Sequence, residues 1–238
     1  GGFAFLGARV NDNPLLVSVL SLVPPSFLAA TPLVRGGLTA VIMLVRGAHE
    51  QEKYMALATT DPATGEQKPV NVIPQPSSNA EFLANQRQSI AGFRLADDQA
   101  LVVTIDPGSA DYFTVPVYND WTTTTDFWNQ QTSLNNEQAR SNPDGTYTVV
   151  ISPTDTGAYN WISTGGLNQG IIAARFQRID PDSPNMPRIV SQQVVAVSEV
   201  AALLPDDPSY FVTNEQRAEQ IALRTAGYAK RFAPYPQV

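Results

Sequence analysis

Ala100-Leu101-Val102-Val103-Thr104-Ile105 is followed by Asp106-Pro107-Gly108-Ser109-Ala110 and then by Asp111-Tyr112-Phe113-Thr114-Val115-Pro116-Val117-Tyr118. The first six residues are apolar and β-branched, the mark of a strand. Asp-Pro-Gly is a turn with a mechanism, because proline fixes φ and glycine supplies φ > 0. Residues 111–118 then alternate. Tyr112, Thr114, Pro116 and Tyr118 share one face, and Phe113, Val115 and Val117 share the other. The pattern predicts two strands joined as an antiparallel hairpin, with Pro116 marking an edge or a bulge.

Strand signals recur downstream. Asn142-Pro143-Asp144-Gly145 is a turn, and residues 146–151 follow it with Tyr147, Val149 and Ile151 on one face. Residues 170–179 and 188–197 read as further strands. Ser198 is placed to cap a short helix through Leu204, and Thr213 with Gln216 fits a capping box opening a helix over 214–232. The expectation is a mainly β fold, a jelly-roll-like β-sandwich of five or so strands, with an apolar helical N-terminal segment and a C-terminal helix. The organisation read from this is an apolar helical segment over 1–59, a Pro-rich linker over 60–81 (with Pro62, Pro69, Pro74 and Pro76), and a β-sandwich domain over 82–238.

The N-terminal stretch is unusual. No charged residue lies between Asp12 and Arg35. Residues 15–23 form an apolar run, Pro24-Pro25 follows, and a second apolar run covers 38–45 before Arg46. A helix of residues 15–23 would rise only ~14 Å at ~1.5 Å per residue, about half of a ~30 Å hydrocarbon core. The prolines argue against a straight span, Pro32 interrupting again. Buried helices packed on the body or on a partner are the first reading, a membrane-embedded or interfacial hairpin and a signal segment remain open, and an apolar helical hairpin is favoured over a single straight span. Arg35 and Arg46 would bracket its second helix. Residues 47–54 read as a solvated helix end.

Composition bounds the chemistry. Within 238 residues there is no cysteine and one histidine, so thiol catalysis and thiolate metal sites are excluded and multi-histidine sites cannot form within one chain. Neither a cofactor nor a metal is expected. The formal net charge of −7 argues against a nucleic-acid partner, which needs a basic footprint. Charged residues make up 16%, against about 25% in ordinary soluble domains, which points to extra covered surface. The partner reading is a partner protein or self-association through residues 13–46, with membrane contact as the alternative and the bacterial cell envelope or membrane as the location.

His49 lacks a nucleophile and an orienting acid in its neighbourhood of the sequence, and reads as a surface histidine. No catalytic residue is assigned. Asp97, Asp98, Asp144, Asp155, Asp180 and Asp182 sit mostly beside Pro or Gly, where aspartate bonds its own backbone. A carboxylate-dependent enzyme using Asp144, Asp155 or Asp180 is the runner-up reading. Asp180-Pro181-Asp182-Ser183-Pro184-Asn185 offers oxygen ligands but lacks the glycine and distal glutamate of a calcium loop. The candidate ligand platform is aromatic: Tyr112, Trp121, Trp128, Tyr159, Asn160 and Trp161, suited to a carbohydrate or a small apolar ligand. Trp161 is expected to be buried, with Asn160 tying its loop to backbone groups.

One block is more specific. Residues 142–152 run into Asp155-Thr156-Gly157-Ala158-Tyr159-Asn160-Trp161-Ile162, then Thr164, Gly166, Gly170 and Arg175. Upstream stand Gly92, Phe93, Leu95, Asp98, Tyr112, Trp121 and Asp126. Over residues 86–197 the chain resembles the bacterial domain-of-unknown-function family twelve-fourteen. That resemblance implies a jelly-roll-like sandwich and no activity. Where relatives often carry His, Arg and Glu in the glycine-rich return, this chain has Leu167, Asn168 and Gln169. The leading function is therefore a non-catalytic subunit that works by binding.

Overall fold

The computed structural model describes residues 32–61, 63–78 and 83–232. The first apolar run and Pro24-Pro25 lie outside the described residues. The chain divides into two compact units, residues 1–53 and 54–238. Helix α1, Pro32–Thr59, runs from one into the other. Pro32 does not interrupt this helix but opens it, at the position where its missing N–H costs nothing. The solvated helix end expected at 47–54 is also corrected: the helix continues to Thr59, where the Thr59 hydroxyl bonds the Met55 carbonyl. His49 is exposed on it, ten residues before its end. In the first unit Val41, Met43, Leu44 and Val45 are exposed. No helix among the described residues is long and apolar enough to cross a membrane.

The second unit is mainly β. Its strands are β1 Gln86–Arg94, β2 Gln99–Asp106, β3 Tyr112–Tyr118, β4 Ser133–Asn135, β5 Tyr147–Ser152, β6 Trp161–Ser163, β7 Gln169–Gln177 and β8 Arg188–Ala196. They form two four-stranded sheets, ordered β1-β7-β3-β4 and β6-β5-β2-β8. All pairings are antiparallel except β5 with β6. One buried cluster draws on both sheets, including Phe93, Phe113, Val115, Val117 and Phe176 from the first and Leu101, Val103, Val149, Ile151 and Ile189 from the second. Of the two faces read at 111–118, the one carrying Phe113, Val115 and Val117 enters this cluster.

The hairpin is a correction. β2 pairs with β5 and β8, so both its edges are taken, and β3 joins the other sheet between β7 and β4. The intervening turn packs on the segment leading into β8: the Ser109 N–H donates to the Asn185 carbonyl. A Cβ on Gly108 (φ +56°) would meet that carbonyl at 2.5 Å. Pro116 is likewise not at a sheet edge. It pairs with Ser133 of β4, and the recorded ladder to β7 lapses at Val115 and Pro116, where proline offers no N–H. Gly170 on β7 is required by contact, since a Cβ there would collide with the Tyr118 carbonyl and the Phe93 ring.

The Pro-rich segment is pinned to the body rather than being a free linker. The Asn71 N–H donates to the Gly92 carbonyl, and its side-chain amide bonds Arg94 in both directions. Gln192 clamps the Ile73 backbone N–H and C=O, and Gln75 does the same to Ile189. Ser77 pairs with Gln88, and the Ile73 side chain enters the core. Residues 71–77 thus cover the edges of β1 and β8, the long strands whose open ladders would invite foreign pairing.

The outer faces are covered as well. Ile90, Ile171 and Ala173 meet Ala58 at the end of α1. Ala100, Val102, Val150 and Trp161 lie beneath Val200 of a 3-10 helix, Val197–Leu203. The residue before that helix is Ala196, whose N–H is held by the Glu199 carboxylate, so Ser198 is not its cap. The C-terminal helix α2, Asn214–Ala229, begins with the expected Thr213–Gln216 capping box.

Candidate functional site

Helix α2 docks through its polar face. The Arg217 guanidinium makes a two-pronged pair with Asp155, Nε to Oδ2 at 2.8 Å and Nη2 to Oδ1 at 3.1 Å. It also donates to the Ala158 and Tyr159 carbonyls and lies 5.0 Å from the Trp161 ring centroid. Two turns later Arg224 donates to the Phe127 carbonyl (2.7 Å), the Ser133 carbonyl (2.9 Å) and the Ser133 hydroxyl (2.7 Å). The Thr225 hydroxyl bonds the Trp128 carbonyl, and the Tyr228 ring packs edge-on against Phe127 at 4.8 Å and against Trp128 at 4.9 Å.

Between α2 and the outer face of β3 and β4 lies a cavity of about 680 Å³. Tyr112, Thr114, Ser133 and Asn135 form its sheet wall. Gln220, Leu223, Arg224, Gly227, Tyr228 and Arg231 form its helix wall, and Phe127, Gln131, Glu137 and Tyr159 contribute further lining. The volume suits a drug-sized ligand, and aromatic faces beside a few polar groups are the usual make-up of a binding site.

The predicted site residues divide. Tyr112 and Tyr159 are brought together in this cavity. Trp128 stands behind Tyr228 rather than in the lining. Trp121 is 73% exposed on a separate turn organised by Asn119, whose carboxamide oxygen accepts from the Trp121 and Thr123 N–H groups. Asn160 and Trp161 are buried. Asn160 bonds Arg140 N–H, Arg140 C=O and Thr148 C=O, and the Trp161 indole donates to the Ser152 hydroxyl at 2.9 Å. These two hold the loop and offer nothing to a ligand. The residues missed from sequence are those of the helix wall. A signal for Arg224 was present: it follows Arg217 by seven residues, which keeps the two on one face of α2.

The aspartates read as turn residues behave so. Asp144 accepts from the Thr146 hydroxyl and N–H, which hold its carboxyl below the usual carboxylate value. Asp155 faces Arg217, and Asp180 accepts from the Asp182 N–H. None of the three lines the cavity, where Glu137 is the single carboxylate among the described lining residues. Hydrolysis by paired carboxylates needs two converging on one cleft. Among the described residues, no group of three or more metal-ligating side chains assembles. Burial pushes the Arg224 guanidinium below its ordinary pKa.

No family model and no curated protein matches the chain. It is similar to an uncharacterised protein from Burkholderia cenocepacia, at 29% identity and a TM-score of 0.47, over 54% of this chain and 36% of that one. It is similar to the VPA0106 protein from Vibrio parahaemolyticus at 16% identity and a TM-score of 0.32, over 44% of this chain and 31% of that one. The chain thus spans about a third of the length of either solved protein.

Proposed function

We propose that this chain is a non-catalytic binding protein whose ligand, a small ring-bearing molecule, sits in the cleft between α2 and the β3–β4 surface. One observation carries the reading: a cavity of about 680 Å³ with Tyr112, Phe127, Tyr159 and Tyr228 in its lining, whose described residues include neither a pair of carboxylates nor a histidine. The test is a thermal-shift series with aromatic and sugar ligands on the wild type and on Tyr112→Ala. Stabilisation by a ring ligand that is lost in the variant is the expected result. Equal shifts in both proteins would place the ligand elsewhere.

Within this proposal the body is a β-sandwich of jelly-roll type, related to the bacterial domain-of-unknown-function family twelve-fourteen. Support comes from the chain's habit of switching sheets, as between β1, β2 and β3. The parallel β5–β6 pair departs from an all-antiparallel roll.

A second reading, attachment to a partner protein, a second copy or a bacterial membrane through residues 13–46, is favoured by the exposed Val41, Met43, Leu44 and Val45. Of that segment, residues 13–31 lie outside the described residues. The double variant Met43→Glu/Leu44→Glu tests it. Loss of cosedimentation with phosphatidylglycerol vesicles, or a smaller particle in size-exclusion chromatography, is the expected outcome. Unchanged behaviour in both assays would remove the reading.

A further inference from the structure

We propose that the cleft ligand is a singly charged ring carboxylate, with its carboxylate on Arg224 and its ring against the tyrosine side chains. The proposal rests on the reading of the cleft as a ligand site and adds the chemical class.

A guanidinium carries five N–H donors and a full positive charge. Three of the Arg224 donors are spent on the Phe127 carbonyl, the Ser133 carbonyl and the Ser133 hydroxyl, all neutral acceptors. Among the described residues two donors remain without an acceptor, on a side chain that lines the cavity. No carboxylate lies within ion-pair distance of Arg224 among the described residues. Arg217, on the same helix, is met by Asp155. A cation drawn out of water without a counter-charge is costly, and a carboxylate brought by a ligand relieves that cost through short, charge-assisted bonds.

The remaining features narrow the class. Because Arg224 is clamped by three bonds, its plane is fixed before a ligand arrives, which lowers the ordering cost of binding. Tyr112, Tyr159 and Tyr228 offer ring surface within the same cavity. Glu137 lines it too, and the whole chain carries a net charge of −7. Two arginines, Arg224 and Arg231, face that one carboxylate among the described lining residues, which leaves a single net positive charge that one ligand carboxylate matches and a multiply charged anion such as phosphate exceeds.

The experiment is calorimetric titration of the full chain with 2-naphthoate, with 2-naphthamide as its neutral counterpart, and with inorganic phosphate. Naphthoate should bind at least about tenfold more tightly than naphthamide, and phosphate at equal concentration should not displace it. Arg224→Gln should abolish the preference for the acid. Because Arg224 also holds Phe127 and Ser133, a second variant guards against misfolding. Leu223 lines the cavity and is 75% exposed, so Leu223→Glu adds a repelling charge without disturbing a core. It should weaken naphthoate about tenfold more than it weakens naphthamide. Equal affinity for acid and amide, blocked by filling the cleft, would overturn the anion class and spare the cleft. Displacement of naphthoate by phosphate would overturn the ring-carboxylate assignment. Binding of neither naphthalene compound would overturn the cleft itself and this inference with it.

Discussion

Arg217 and Arg224 project from one face of α2 seven residues apart, yet they meet different surroundings. Arg217 is 6% exposed and is satisfied by Asp155, by two carbonyls and by the Trp161 ring. Arg224 is half-buried, bonds three neutral oxygens and lines a cavity. The lesson is that one helix performs two jobs. Its first half is a lock, where Arg217 has its counter-charge and the Asn160–Trp161 loop is fixed beneath. Its second half is a wall, where charge is left over and space remains. A buried pair is strongly destabilising to break from one side, while an unneutralised arginine is a cost that binding can recover.

The largest expected effect lies at the lock. Trp161 is buried with Ala100, Val102, Val150 and Val200, and its indole N–H is satisfied. Trp161→Ala should therefore cost about 3–5 kcal/mol in chemical denaturation, as truncation of a core aromatic does. A near-wild-type midpoint would show that this end of α2 is not a lock. Next comes Asp155→Ala, which would put Arg217 in the state of Arg224: desolvated, with neutral acceptors only. About 3 kcal/mol of stability should be lost. Replacing both members, as Asp155→Leu/Arg217→Leu, should recover part of the loss, since the uncompensated charge is then gone. An additive double variant would mean that the pair is not the unit.

The same division explains how much could be read from the sequence. Five strands were legible because β2, β3, β5, β7 and β8 carry β-branched or alternating residues bounded by turns. β1 was not, because Gln86-Arg87-Gln88-Ser89 reads as polar surface. Its burial comes from a distant segment, with Ser77 pairing Gln88, and from β7, where Gln177 bonds the Gln86 side chain. β4 and β6 are three residues each, too short for any periodicity to register. The false hairpin has a different cause. A turn motif states that the chain reverses, but not which sheet receives the next strand. At the site, Tyr112 and Tyr159 were found by residue type alone. The helix wall was not, since Arg224 and Tyr228 become site residues only once α2 lies across β3 and β4. Asp144 and Asp180 were legible because their bonds reach only two residues along the chain, whereas Asp155 holds Gly157 in its own turn and also meets Arg217 from a distant helix, which no local pattern announces.

The wall half of α2 also holds a glycine in its interior. Gly227 is exposed, and a Cβ added there meets nothing within 4 Å. Glycine inside a helix costs about 0.5–1 kcal/mol relative to alanine. Gly227→Ala should therefore raise stability by about that amount and lift the melting temperature. At the lock no such gain is available, as residues 214–221 contain no glycine. A destabilised Gly227→Ala protein would mean that the cleft wall closes more tightly in solution, and would undercut the contrast between the two halves.

The smallest expected effect concerns acid. Asp126 begins the loop that Arg224 and Tyr228 grip. Its carboxylate accepts from the Asn129 backbone N–H first and the Asn129 side chain second, and these bonds hold it below its ordinary value of 3.8. A carboxyl group with a depressed pKa in the folded state contributes stability above its unfolded value, and loses that contribution as pH falls through the folded one. Protonating Asp126 should thus loosen the loop, and with it the wall, only below about pH 3.8. The group is exposed, so the effect on global unfolding should be slight. The sharper readout is local: the amide hydrogen-exchange protection of residues 127–131, taken relative to intrinsic rates at each pH, should fall on acidification before that of 155–161 does. Protection that falls first at 155–161 would reverse the assignment of lock and wall.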